Sequence, residues 1–225
     1  MGAAGKWGLA MLVAAGLLPG AAFAACFPLA RLKYGGGGDW YAGTTMLPNL
    51  AKRLRSDLGL NVCPEERTVS ILDGNLYETP VLFMTGHGTV AFSEEERKAL
   101  REFLRRGGLL FADDNYGLAE SFRAEMQALY PNRSLRVIPV TSPIFYSHYR
   151  FPKGLPKIHY HDGLPATAYG IEIDGRIVVL FTYQCDLGNG WEDYEVYRDP
   201  PRLHEAALRM GVNVFAWFLA GARAR

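Results

Sequence analysis

The chain has 225 residues, of which 49% are hydrophobic and 21% charged, and its 24 basic and 23 acidic residues leave a formal net charge of +1. That length suits one α/β domain with a full core, and the composition is that of an ordinary globular protein. A near-neutral chain without a basic stripe argues against nucleic acid as the main partner.

The N-terminus reads as an export signal. Lys6 supplies a short positive region, the apolar run LAMLVAAGLLPGAAFAA follows, and Ala22-Phe23-Ala24 fits a cleavage site before Ala25. Residues 1–25 are therefore expected to be a signal peptide and residues 26–221 a single domain, periplasmic or secreted. Gly16, Pro19 and Gly20 weaken the run as a membrane span. An uncleaved leader or lipidation of Cys26 are the two routes to a membrane anchor. If Cys26 carries a lipid, Cys63 and Cys185 remain to form a disulfide; if it does not, the count is odd and one thiol is free or intermolecular. The alternative to a disulfide is two buried, unpaired cysteines.

Residues 28–34 read as a strand, followed by the flexible loop GGGGDWYAG. In 46–58, Leu47, Leu50, Ala51, Leu54 and Leu58 recur at helical spacing, and Gly59 suits the helix end. Short strands are expected at 60–62 and 69–72. The continuous apolar run 80–85 fits a strand covered on both faces. Ser93 with Glu96 makes a capping box ahead of a helix that buries Leu100, Phe103 and Leu104. Gly107-Gly108 stops that helix, and LLFAD is the next buried strand. A helix over 118–129, a strand over 135–140 and an irregular stretch over 141–168 follow. A hairpin turns at Asp174-Gly175, and an apolar helix over 203–219 closes the chain. Alternating strands and helices predict a three-layer α/β sandwich with a mostly parallel central sheet.

In such a sheet the loops after the strands share one rim. His87, between Gly86 and Gly88, has an imidazole free to serve as base, metal ligand or hydrogen-bond donor; the alternative is a His that ties its loop. Asp113 and Asp114 end the next strand and point to opposite faces, so one faces the cleft while the other caps the following turn. Asn115 follows them, and Asp186 joins the same rim if its strand runs parallel. His87, one of the two acids and Asp186 then form a set suited to zinc, manganese or magnesium. His159 and His161, at i and i+2, share a face on a strand and are a second, weaker pair for zinc. Asp39-Trp40 after four glycines, facing Trp191, forms either a binding lip or an aromatic plug. The glycine loop lacks the GK[ST] ending of a phosphate-binding loop, and no G-x-S-x-G or H-E-x-x-H occurs.

Taken in order, LKYGGGGDW, FMTGHGTVAFSEEERKALREFLRRGGLLFADDN, SPIFYSHYRF, the IDGR hairpin, QCDLGNGW and GVNVFAWFL resemble the bacterial family of domain of unknown function 4159. The resemblance implies a fold like that of the class I glutamine amidotransferases, related to flavodoxin-like sheets, and assigns no reaction or cofactor. Those amidotransferases carry a nucleophilic Cys on the turn after a central strand, where this chain has Asp113-Asp114-Asn115. Amidotransferase activity is therefore rejected. The family commonly has a His-Pro pair where this chain has Ser142-Pro143. The function expected is recognition of a small molecule, glycan or envelope protein at the rim, with a hydrolase using His87 and a carboxylate as the alternative.

Overall fold

The computed structural model describes residues 26–223, so the expected leader at 1–25 lies outside the described residues. The strands are β1 (Ala30–Lys33), β2 (Arg67–Ser70), β3 (Val81–Gly86), β4 (Leu109–Asp114), β5 (Arg136–Val137), β6 (Thr167–Ile173) and β7 (Arg176–Tyr183). The helices are α1 (Met46–Leu58), α2 (Glu94–Arg105), α3 (Ala119–Leu129), the short α4 (Tyr194–Tyr197) and α5 (Pro201–Arg223).

One sheet runs in the order β2-β1-β3-β4-β7-β6-β5. The first five strands are parallel, and β6 and β5 add an antiparallel edge. Counted among the parallel strands alone, the order is that of a doubly wound sheet, with the reversal between β1 and β3. Side chains alternate across each strand. Phe83, Phe111 and Leu180 pack under α1 and α5, whereas Leu82, Met84, Leu110 and Phe181 pack under α2 and α3. This makes three layers. Each fully buried Phe in them contributes roughly 1.5–3 kcal/mol.

Local chemistry sets the boundaries. Gly59 ends α1 at φ 63°, returning its N–H to the Arg55 carbonyl. Ser93 and Glu96 form the reciprocal capping box of α2. Asp174 (φ 50°) and Gly175 (φ 75°) turn the β6–β7 hairpin, whose tight turn needs two left-handed residues. The strand expected over 135–140 is reduced to Arg136–Val137, because Pro139 has no N–H to continue the ladder. At 60–62 there is only a bridge from Val62 to Phe27.

That bridge has a covalent consequence. The Phe27 N–H donates to the Asn61 carbonyl, and the Cys63 N–H donates to the Phe27 carbonyl. Cys26 and Cys63 are thereby brought together and form a disulfide, with Cα atoms 5.0 Å apart. Cys185 is buried and free. The Cys63–Cys185 pairing, which the sequence left open for a lipidated Cys26, is not the one formed, and of the three cysteines one is free. A lipid thioether on Cys26 and this disulfide are exclusive uses of one sulfur.

The disulfide links residues 37 apart, and constraining a loop of that length in the unfolded chain adds about 2–4 kcal/mol of stability. Cys63→Ser is expected to lower the unfolding free energy by that amount in urea titrations. The unreduced, denatured parent should expose a single reactive thiol, that of Cys185. Two or three thiols would contradict the pairing.

Candidate functional site

The loops after β1 and β3 are zipped together at the switch in strand order. Gly38 N–H donates to the Thr89 carbonyl and Asp39 N–H to the His87 carbonyl. A Cβ on Gly38 would lie 2.8 Å from that His87 oxygen, and one on Gly86 (φ 141°) would meet the Asp39 carboxylate at 2.8 Å. Only glycine permits this approach. The result holds Asp39 against His87 twice: one carboxylate oxygen accepts the His87 backbone N–H, and the other lies 2.9 Å from Nδ1. A neutral His87 that donates from Nδ1 leaves Nε2 as a free acceptor, on a side chain 53% exposed. Arg31, buried in β1, pins the far end of the glycine loop by donating to the Ala42 and Gly43 carbonyls while paired with Glu66.

β4 ends with its two acids on opposite faces. Asp114 accepts the Leu118 N–H and so closes the turn into α3. Burial raises its pKa, against the pull of that N–H. Asp113 turns to the other face. Its carboxylate accepts the Thr182 hydroxyl at 2.5 Å, the Leu187 N–H at 3.3 Å and the Gly188 N–H at 2.7 Å. Burial pushes Asp113 up to about 7, opposed by the Thr182 and Gly188 bonds. Asp113 thus fastens the loop that follows β7.

That loop carries Asp186. β7 is parallel to β4, so Asp186 reaches the rim. Its backbone is left-handed (φ 51°) and it is 1% exposed. His159 Nδ1 lies 2.9 Å and His161 Nε2 2.6 Å from the same Asp186 Oδ2. His159 Nε2 lies 3.2 Å from Asp199 Oδ1. The hydrogen bond to Asp186 raises the His159 pKa. His161 stacks on Tyr116, with ring centroids 4.3 Å apart. The Tyr116 hydroxyl donates to Asp162, which also accepts from the Gln184 amide.

The rim therefore has two stations, His87 with Asp39 at β1/β3, and His159, His161 and Asp186 at β4/β7. The loop after β4 joins them: Tyr116 stacks on His161, and a Cβ on Gly117 would lie 3.9 Å from Gly88 N. Tyr197, edge-on to His159, has its pKa raised by burial and by the charges of Glu192, Asp186 and Asp199, which follow β7, and of Asp39 from the other station. Asn115 also belongs to the rim and accepts the Asn189 amide.

The side chains of His159 and His161 meet Asp186 from an irregular loop rather than from one face of a strand. Tyr116, Tyr197 and Asp199 carry no sequence signal beyond being polar residues outside regular elements. Trp191, expected at the lip, is 0% exposed: it packs 5.1 Å from Phe83 and donates from Nε1 to the Ala207 carbonyl. Trp40 is half-buried beneath Lys33. Cys185 offers no substitute nucleophile, because burial first and then the Asp113 charge hold its pKa well above that of an ordinary thiol.

These features define a doubly wound α/β protein with a His/carboxylate rim and no amidotransferase thiolate. The chain belongs to the family described as domain of unknown function (DUF4159), whose model matches residues 28–219. A search of curated proteins finds no match to it.

Above pH about 7, where Asp113 is ionised, Asp113→Asn replaces one acceptor oxygen with an amide that faces donors and is expected to cost about 1–3 kcal/mol. The pH dependence has a definite sign. From pH about 4 to 7 the folded chain holds a proton on Asp113 that the unfolded chain has released, so stability falls as pH rises through that window. Urea titrations across it should show the variant with a flatter slope than the parent. Equal stability and equal slope would mean that this carboxylate does not hold the β7 loop.

Proposed function

We propose that the protein is exported and recognises a small polar ligand, a glycan or a peptide segment of an envelope protein, on the rim formed by residues 114–118, 159–162 and 184–191. One observation carries this reading. Of the seven buried side-chain polar atoms without a hydrogen-bond partner found among the described residues, four belong here: Asn115 Nδ2, Asn189 Oδ1, Gln184 Oε1 and Asp186 Oδ1. An unpaired buried polar atom costs about 1–3 kcal/mol, so a cluster of them is expected where a bound group completes the bonding. Tyr116, Tyr160 and Tyr197 add exposed aromatic faces suited to stacking on a sugar ring or a planar peptide group. Export is supported by the Cys26–Cys63 disulfide, since such bonds persist in oxidising compartments. No helix among the described residues is long and apolar enough to cross a membrane.

A second reading, a hydrolase, is favoured by the His87–Asp39 pair, which holds the imidazole in the orientation a general base needs. If a hydrolysed ligand is found, His87→Ala should abolish turnover while leaving its affinity unchanged.

Thermal-shift titration of residues 26–225 with cell-wall oligosaccharides and with short peptides tests recognition. One of the two classes is expected to raise the melting temperature. Asn115→Leu should weaken that ligand roughly tenfold, the effect of one lost hydrogen bond of about 1.4 kcal/mol. Binding that survives Asn115→Leu and Tyr116→Ala unchanged places recognition elsewhere and sinks the reading.

A further inference from the structure

We propose that His159, His161 and Asp186 form a site for one divalent first-row transition metal of the zinc class, with Asp199 as its outer carboxylate. One donor atom from each of the three lies within 4.8 Å of the other two. Two imidazole nitrogens converge on a single carboxylate oxygen. Without a cation, each of those nitrogens must carry a proton to avoid facing the carboxylate lone pairs with its own. A metal ion in place of the two protons satisfies all three donors at once. Bond lengths of about 2.0–2.2 Å require donors roughly 3.3 Å apart, a small expansion of the observed 2.6 and 2.9 Å separations.

The surroundings support the same assignment. His159 Nε2 lies 3.2 Å from Asp199 Oδ1, so with a metal ion in place of the Nδ1 proton the ring donates from Nε2 to Asp199 and directs its Nδ1 lone pair at the cluster. A metal-bound imidazole characteristically donates its other N–H to such a carboxylate. His161 is held by its stack on Tyr116, whose hydroxyl is tied to Asp162. Asp186 is 1% exposed, with Oδ1 unpartnered and the backbone left-handed. A strained residue that buries an uncompensated carboxylate oxygen is costly, and a divalent cation offsets that cost. Two nitrogens and one oxygen suit zinc and its first-row neighbours rather than calcium or magnesium, which favour all-oxygen sets. Three protein ligands leave a coordination position open, as in sites that bind or activate something rather than closed structural ones.

The inference deepens the reading of the rim as a recognition site and rests on it only for the use made of the metal. Metal binding is therefore read with no organic ligand present. Residues 26–225, exported so that the disulfide forms, are stripped with chelator and titrated with zinc against a chromophoric competitor. Cobalt(II) absorption serves as a second readout. One equivalent is expected to bind. His161→Ala should weaken it by at least 100-fold, and Asp199→Asn by about 10- to 100-fold with the stoichiometry kept. His204→Ala, on α5, should change nothing. His161 lies at the surface, so its variant is checked for folding by circular dichroism and remains informative if Asp186→Asn does not fold. Absence of stoichiometric zinc and cobalt binding by the folded parent, or binding unaffected by His161→Ala, overturns the proposal. Metal binding with no glycan or peptide recognition sinks the recognition reading alone.

Discussion

The arrangement of the rim depends on one buried carboxylate, that of Asp113. It is the next-to-last residue of the central strand β4 and accepts two successive backbone N–H groups, those of Leu187 and Gly188. The bargain is reciprocal. The loop after β7 passes through two left-handed residues, Gln184 and Asp186, and leaves the sheet after Tyr183. Buried N–H groups without acceptors are costly, and so is a buried carboxylate without donors. Each satisfies the other, and the loop is fixed with Asp186 turned toward the histidines.

The same logic recurs at β1 and β3 with different chemistry. There the two loops bond to each other through backbone groups, and glycine makes the approach possible. Asp39 then locks the joint by gripping both the backbone and the imidazole of His87. Each half of the rim thus has its own acid as a fastener, Asp113 on one side and Asp39 on the other. The acids that remain for chemistry are those whose oxygens are not spent on backbone, above all Asp186.

Much of the fold was legible because periodicity is a local property. The spacing of Leu47, Leu50 and Leu54 matched α1, and the run from β3 through α2 to β4 carried its own cap, stop and apolar strands. The site was less so, since its parts meet across long sequence separations. The parallel course of β7 brought Asp186 to the rim as the fold required, yet nothing in KIHYHD shows that a loop would fold both histidines back onto that acid. Trp191 misled for the opposite reason: glycines on its N-terminal side suggested an exposed loop, but they let the chain turn tightly enough to drive the indole against Phe83 and Phe111. Cys26–Cys63 was missed because the bridge that aligns them, Phe27 with Val62, is a single pair with no strand signature.

The position after the central strand β4 has a physical meaning of its own in this setting. A residue on the turn after the central strand of a doubly wound sheet can act on a ligand only if its side chain is free to reach it. Here the two residues at that position are both committed, Asp113 to the β7 loop and Asp114 to the start of α3. A side chain that carries the backbone of a neighbouring loop cannot also swing into a cleft. The open functional groups lie to either side, His87 after β3 and the His159–His161–Asp186 cluster beside the loop after β7. Both acids at the end of β4 are thus part of the frame of the rim, and the groups left open for chemistry lie beside them.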